Sequence, residues 1–215
     1  MRSHPGFTRC RSVSSGAMRI RLAKPEDGRG TAAIYDPVVT ESATSFESEP
    51  PGPEGMAGRI SAAGPFHPWL VAEDSGAVSG FAYAGRHRIR GAYGWAVDVS
   101  VYVDPRYQRR GVGRSLYQAL FGVLEAQGYW TAHAGISLPN PSSVAFHESM
   151  GFEPIGVYPH VGWKLGRWHD VGWWQRRLRS GDDAPSPLLP VTDVDVSPVL
   201  AKVLAQTHDE PLGGE

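Results

Sequence analysis

The residues able to do chemistry concentrate between Asp98 and Leu116. Val97, Val99, Val101 and Val103 alternate with Asp98, Ser100 and Tyr102, so one strand face is apolar and the other carries polar groups. Gln108-Arg109-Arg110-Gly111-Val112-Gly113-Arg114 then runs into a helix pattern. At a helix start the free backbone N–H groups point outward, and the helix dipole favours negative charge. Gly111 and Gly113 lack a Cβ, so a phosphate can approach the backbone. Arg109, Arg110 and Arg114 add fixed positive charge with bidentate geometry. The loop suits a pyrophosphate. It is not a Walker loop, which needs a Lys-Ser/Thr pair, nor a dinucleotide fingerprint, since position 116 is Leu. By itself the string also fits a helix start with solvated arginines, so the elements around it decide.

Those elements read as follows. Ile20 and Leu22 alternate with Arg19 and Arg21 as in a first strand. Asp27 can cap a helix through about Tyr35, weakened by Gly28 and Gly30, and a second helix falls within 53–63. Trp69 to Ala72 and Val78 to Tyr83 form a hairpin around Asp74-Ser75-Gly76. Residues 95–103 make the next strand. Val112, Leu116, Leu120, Val123 and Leu124 form a helical stripe that stops at Gly128. Tyr129 to Ser137 is another strand. Asn140 caps a short helix that has Pro141 in its first turn and ends at Gly151. Residues 152–158 and 170–175 supply two final strands. Mixed in this order, they predict an α+β fold around a central, mainly antiparallel sheet.

Composition sets the limits. The chain has 215 residues, a formal net charge of −1 and one cysteine, Cys10. The charge gives no argument for nucleic acid or an anionic membrane, and no apolar run has the length of a membrane span. One cysteine excludes internal disulfides and Cys-rich metal sites and fits the reducing cytoplasm. Residues 1–17 carry arginines and serines without acids, a composition that also suits a transit peptide but lacks its amphipathic pattern, and we expect a disordered extension there, with Met18 rather than Met1 as the natural start. Residues 179–215 are rich in Pro, Asp and Gly and read as a mostly flexible tail, with one short helix available from Ser197.

Seven strings in order give the middle of the chain a family resemblance. They are Thr44-Ser45-Phe46, Pro68-Trp69-Leu70-Val71-Ala72-Glu73, Arg90-Gly91-Ala92-Tyr93, Ser100-Val101-Tyr102-Val103, Leu124-Glu125-Ala126-Gln127-Gly128, Leu138-Pro139-Asn140-Pro141-Ser142-Ser143-Val144 and Trp168-His169-Asp170-Val171-Gly172-Trp173-Trp174-Gln175. With the loop 108–114, residues 18–178 resemble the GCN5-related N-acetyltransferases (GNAT), and within them the phosphinothricin N-acetyltransferases. The resemblance implies a twisted sheet whose splayed strands hold acetyl-CoA. It implies that backbone of Val101, Tyr102 and Val103 binds the pantetheine, that Gln108, Arg109, Arg110, Gly111, Val112, Gly113 and Arg114 hold the pyrophosphate, and that Asn140 and Ser143 contact the pantetheine arm. It also implies a homodimer.

Acetyl transfer to an amine requires a base, attack geometry, a donor for the developing oxyanion and a proton for the leaving thiolate. Asp98 is the candidate base; the family has a glutamate there, one methylene longer, so a water bridge is expected. The other reading of Asp98 is a solvated strand carboxylate. His147 stands where the superfamily has a proton-donating Tyr, and it equally fits a helix histidine packed near Phe152. Arg90 is the candidate for a substrate carboxylate, with Tyr93 and Phe46 as pocket walls. His133 and His169 read as structural histidines, and no metal is expected. A small-molecule N-acetyltransferase for an amino acid or analogue follows. A protein N-terminal or lysine acetyltransferase and a non-catalytic acyl-CoA sensor are the alternatives.

Overall fold

The computed structural model describes residues 18–209, so the expected extension over 1–17 lies outside the described residues. The elements are β1 (Arg19–Leu22), α1 (Gly28–Glu41), α2 (Gly52–Ala62), β2 (Trp69–Asp74), β3 (Ala77–Arg86), β4 (Ala96–Val103), α3 (Val112–Gln127), β5 (Thr131–Leu138), α4 (Pro141–Ser149), β6 (Glu153–Lys164), β7 (Arg167–Arg177) and α5 (Ser197–Asp209). Seven strands form one sheet in the order β1-β2-β3-β4-β5-β7-β6. Every neighbouring pair is antiparallel except β4 and β5. The connection between those two is α3, the crossover that a parallel pair requires.

Helices cover both faces. The stripe of α3 is buried as its period demands, with Leu116, Leu120, Val123 and Leu124 at 0 % exposure. It packs with Ile20, Leu70, Ala82, Val97 and Val99. Full burial of each such side chain contributes about 1.5–3 kcal/mol. On the other face α1 and α2 close over Trp69, Val71 and Phe81 through Ile34, Tyr35, Val39, Met56 and Ile60.

Three expectations change. First, α1 runs on to Glu41 through Pro37. Burial of Val39 against the sheet outweighs the proline penalty, and a Cβ on Gly28 would sit 2.5 Å from the Pro53 carbonyl oxygen, so its glycine serves close helix contact. Second, the last hairpin is longer than 152–158 and 170–175. Its strands meet around Leu165 and Gly166, both at positive φ, and its register shifts between Tyr158 and Gly162.

Third, residues 186–204 of the expected flexible tail are docked. Its Pro/Asp/Gly composition hides a regular set of apolar anchors. The Trp95 indole N–H donates to the Ser186 carbonyl at 2.8 Å. Leu189 and the buried Gln127 exchange hydrogen bonds at 2.8 and 3.0 Å. Leu188, Leu200, Val203 and Leu204 join the α3 core. No described helix is long and apolar enough to cross a membrane.

Candidate active site

The parallel pairing of β4 and β5 is short: Ala96 faces Thr131, Val97 faces Ala132, and Asp98 faces His133. Beyond that rung β4 continues to Val103 and β5 to Leu138 without further pairing. The strands part there, and the backbone polar groups of 99–103 on that side lack a ladder partner. Such groups need one. The gap they border is lined by Val101 and Tyr102 on one side and Ile136, Asn140, Ser143 and His147 on the other. The Tyr102 ring turns away to stack on Phe81 and meet Tyr35, so main chain is what Tyr102 offers the gap.

The basic loop lies beside this gap. Gly111 has φ +78° at the α3 start, where a side chain would be strained, and no side chain caps that start. Gln108, Arg109, Arg110 and Arg114 are exposed. Val112 is buried in the core, so it offers backbone alone. A Cβ on Gly113 would make ordinary contacts with Phe146 and Val103; packing does not require that glycine. At α4, Asn140 Oδ1 accepts from the Ser143 N–H at 3.1 Å, the expected cap.

Asp98 looks into a second cleft, of about 480 Å³, lined also by Thr44, Phe46, Tyr158 and Trp173. The two clefts share Thr44, Val99, Ser100, Gly135 and Ser137. Burial raises the Asp98 pKa above the usual carboxylate value, and a hydrogen bond with His87 opposes that rise. His87 Nδ1 lies 2.6 Å from Asp98 Oδ1. His87 was not singled out in the sequence. Its position two residues past Gly85, the β3 partner of Asp98, is visible only once the register is known. His133 and His169 are not brought together: His133 pairs with Gln175 near one end of β7, and His169 with Gly162 near the other. His169 Nε2 donates to the Lys164 carbonyl at 3.0 Å.

His147 is 7 % exposed, on the gap side of α4. Its Nδ1 lies 2.8 Å from the Ser143 carbonyl, which can only accept, so Nδ1 carries the hydrogen. Nε2 then accepts from the Tyr117 hydroxyl at 3.0 Å. Burial lowers the His147 pKa and favours this neutral form. Both ring nitrogens are engaged and Nε2 carries no hydrogen, so in this arrangement His147 has no proton to give a leaving thiolate; the proton between the two side chains belongs to the Tyr117 hydroxyl.

Phe46 sits on a loop held from two sides. Glu47 takes two hydrogen bonds of 2.7 Å from Arg59 and one of 2.7 Å from the Tyr35 hydroxyl. Lys164 donates to the Val39 and Ser45 carbonyls, each at 2.6 Å. Phe46 packs against Gly162, where a Cβ would fall 2.1 Å from the ring. Tyr93, expected as a pocket wall, is half-exposed and does not line the cleft; its ring lies 5.9 Å from that of His87. Arg90 is exposed and does not line the cleft; Arg88, 5.6 Å over the Trp173 ring, stands at its edge.

Comparisons with known proteins agree with this geometry. Residues 36–152 match the model of the Acetyltransferase (GNAT) family. A phosphinothricin N-acetyltransferase of Streptomyces viridochromogenes is 40% identical over 177 residues, 82% of this chain and 96% of that protein. An L-methionine sulfoximine/L-methionine sulfone acetyltransferase of Salmonella typhimurium is 32% identical, over 75% of this chain and 95% of that protein. The crystal structure of a phosphinothricin acetyltransferase from Sinorhizobium meliloti in complex with acetyl-CoA superposes with a TM-score of 0.74 at 36% identity, over 79% of this chain and 94% of that one. A seven-stranded sheet parted at one parallel rung, an uncapped helix start behind exposed arginines and these likenesses agree: the chain belongs to the GNAT acetyltransferase family.

Proposed function

We propose that this protein moves an acetyl group from acetyl-CoA to the amino group of a small amino acid or analogue, of the phosphinothricin and methionine sulfoximine or sulfone type. The observation that carries the reading is Asp98, a carboxylate at the fork of two strands, where the gap between the parted strands meets a cleft of about 480 Å³, room for a small acceptor.

The residues divide the work. Gln108 to Arg114 hold the pyrophosphate through backbone N–H groups and guanidinium charge. Main chain of Val101, Tyr102 and Val103, with Asn140 and Ser143, aligns the pantetheine arm. A main-chain N–H on β4 stabilises the negative charge that develops on the thioester oxygen. Asp98 takes a proton from the ammonium, through water if the acceptor stands off. His147 Nε2 holds the Tyr117 hydroxyl at the edge of the gap, and the departing thiolate takes the proton shed by the acylated nitrogen. Arg88, over the Trp173 ring at the cleft edge, attracts the acceptor carboxylate, Arg90 adds positive charge from outside the lining, and Phe46 and Trp173 are the walls. These side chains supply acid–base and binding roles without calling on a metal.

The proposed assembly is a homodimer. Support comes from the β6–β7 hairpin, which exposes Val157, Val161, Trp163 and Trp168 together. The proposed compartment is the cytoplasm, supported by the single cysteine. The test of function is thiol release from acetyl-CoA with phosphinothricin, methionine sulfoximine, methionine sulfone and a peptide N-terminus. Turnover on the free amino acids is expected. Turnover on the peptide alone would select a protein acetyltransferase, and acetyl-CoA binding without turnover a sensor.

A further inference from the structure

Asp98 is one carbon shorter than the glutamate that the family resemblance implies, and its surroundings answer that shortening. His87, just past the end of β3, folds back so that Nδ1 meets Asp98 Oδ1 at 2.6 Å, with the His87 side chain 12 % exposed. The His87 ring lies flat on that of His133, centroids 4.1 Å apart and planes 14° apart. Tyr93 and Trp173 approach its edge, at 5.9 and 6.2 Å. The donor atoms of His87, Asp98 and His133 lie within 4.8 Å of one another. At 2.6 Å the His87–Asp98 gap holds one shared proton and nothing larger. His133 is 8 % exposed, and its Nδ1 has no hydrogen-bond partner.

We propose that His87 is a positioning residue for acetyl transfer: its Nδ1–H keeps the Asp98 carboxylate ionised and aimed at the acceptor cleft, with His133 as the flat plate that fixes the imidazole. The inference rests on the reading of Asp98 as the base. With Oδ1 held by His87, Oδ2 is the oxygen left to work. An N–H bond of the ammonium breaks, directly or across one water, and an Oδ2–H bond forms. The electron pair left on nitrogen attacks the thioester carbonyl carbon and forms the N–C bond; the C–S bond then breaks with its pair on sulfur, and the proton shed by the acylated nitrogen goes to the departing thiolate. The Nδ1–H bond of His87 is unchanged throughout.

The charge balance around the carboxylate gives the sign of the effect. Burial raises the Asp98 pKa, and the His87 hydrogen bond is the leading opposing influence, followed by the charges of His87, His133 and Arg88. Tyr83 on β3 also faces Asp98, Tyr93 faces His87, and Tyr158 on β6 stands across the cleft. Burial and the neighbouring His87 lower the His133 pKa, so the plate favours the neutral form. Loss of the Nδ1–H donor therefore leaves burial less opposed, and the Asp98 midpoint rises.

The experiment follows the Asp98 carboxyl by ¹³C NMR titration of the free enzyme and, in parallel, the acid limb of kcat/KM with phosphinothricin. His87→Phe keeps a ring and removes the donor; His87→Gln restores a donor. We expect His87→Phe to raise the carboxyl midpoint by about one pH unit and to move the acid limb the same way. His87→Gln should bring both back toward wild type. An unmoved midpoint in His87→Phe, or a His87→Gln midpoint as high as that of His87→Phe, overturns the proposal. If the wild-type enzyme acetylates no amino acid while the midpoint shifts as expected, the acceptor reading fails and the coupling stands. Should His87→Phe not fold, the ¹⁵N spectrum of wild type decides. A protonated Nδ1 on His87 that is lost in Asp98→Asn supports the couple, and an unprotonated Nδ1 at neutral pH overturns it.

Discussion

Asp98 and His133 are partners on the last rung of the parallel β4–β5 pairing. The carboxylate therefore stands at the fork, held by strand register on its rear side and open to the acceptor cleft ahead. Strand-borne residues hold direction better than loop-borne ones, which matters when attack geometry sets the rate.

Asp98→Asn removes the proton acceptor and keeps the shape. We expect kcat to fall by about 10²-fold or more, with acetyl-CoA affinity unchanged. Thiol release and calorimetric titration measure the two. A loss within a factor of two would take Asp98 out of the mechanism. Because burial raises its pKa, the acid limb of kcat/KM should lie above the ordinary carboxylate range.

Gly111→Val places a branched side chain at φ +78°. A non-glycine residue there costs on the order of 1–2 kcal/mol, and relief of that strain would turn the N–H groups of the α3 start. The expected result is a Kd for CoA about tenfold weaker or more. Equal affinity would argue against the loop as the pyrophosphate seat.

Gly162→Ala should act on the acceptor and spare the donor. The added carbon would fall 2.1 Å from the Phe46 ring, so the ring has to move into or away from the cleft. We expect the acceptor KM to change at least threefold, by the rule that ångström-scale displacement of pocket groups carries large kinetic effects, while the acetyl-CoA KM holds within about twofold.

Much of the site was legible because it is local. The glycines and arginines of 108–114, the Asn140 cap and the valine face of β4 each declare themselves within a few residues. The His87–Asp98–His133 group does not: its members come from β4, β5 and the segment after β3, and only register brings them together. The engagement of His147 with Tyr117 was hidden for the same reason, since those residues lie on two different helices. Arg90 kept its place in the motif and yet stands outside the cleft lining, where Arg88 comes nearer.

Acid should loosen the fold near β1. Burial alone would raise the Asp27 pKa, but hydrogen bonds from Arg21 at 2.7 and 2.8 Å and from the Lys24 N–H overcome it, and the net shift is downward. A carboxylate with a depressed native pKa gives stability above its unfolded pKa and loses it as pH falls toward the native one. Arg21→Met should flatten that acid dependence and cost about 2 kcal/mol at neutral pH in urea unfolding. A variant as stable as wild type, with the same acid slope, would refute the role.

Removal of residues 184–215 should lower Tm by at least about 5 °C. Val203 and its apolar neighbours then leave the α3 surface, each buried side chain being worth about 1.5–3 kcal/mol. Differential scanning calorimetry reads the change; a Tm within a degree of wild type would mean that the docked segment adds nothing.

That docked segment also has a consequence for how the chain is made. Residues 186–204 leave the ribosome after every strand of the sheet, yet they cover the outer side of a helix already synthesised. During translation that helix carries an apolar flank with no cover, a window in which a nascent chain can stick to its neighbours or recruit a chaperone. This stretch of polypeptide thus acts as a seal, fitted only after the sheet and its helix have been made.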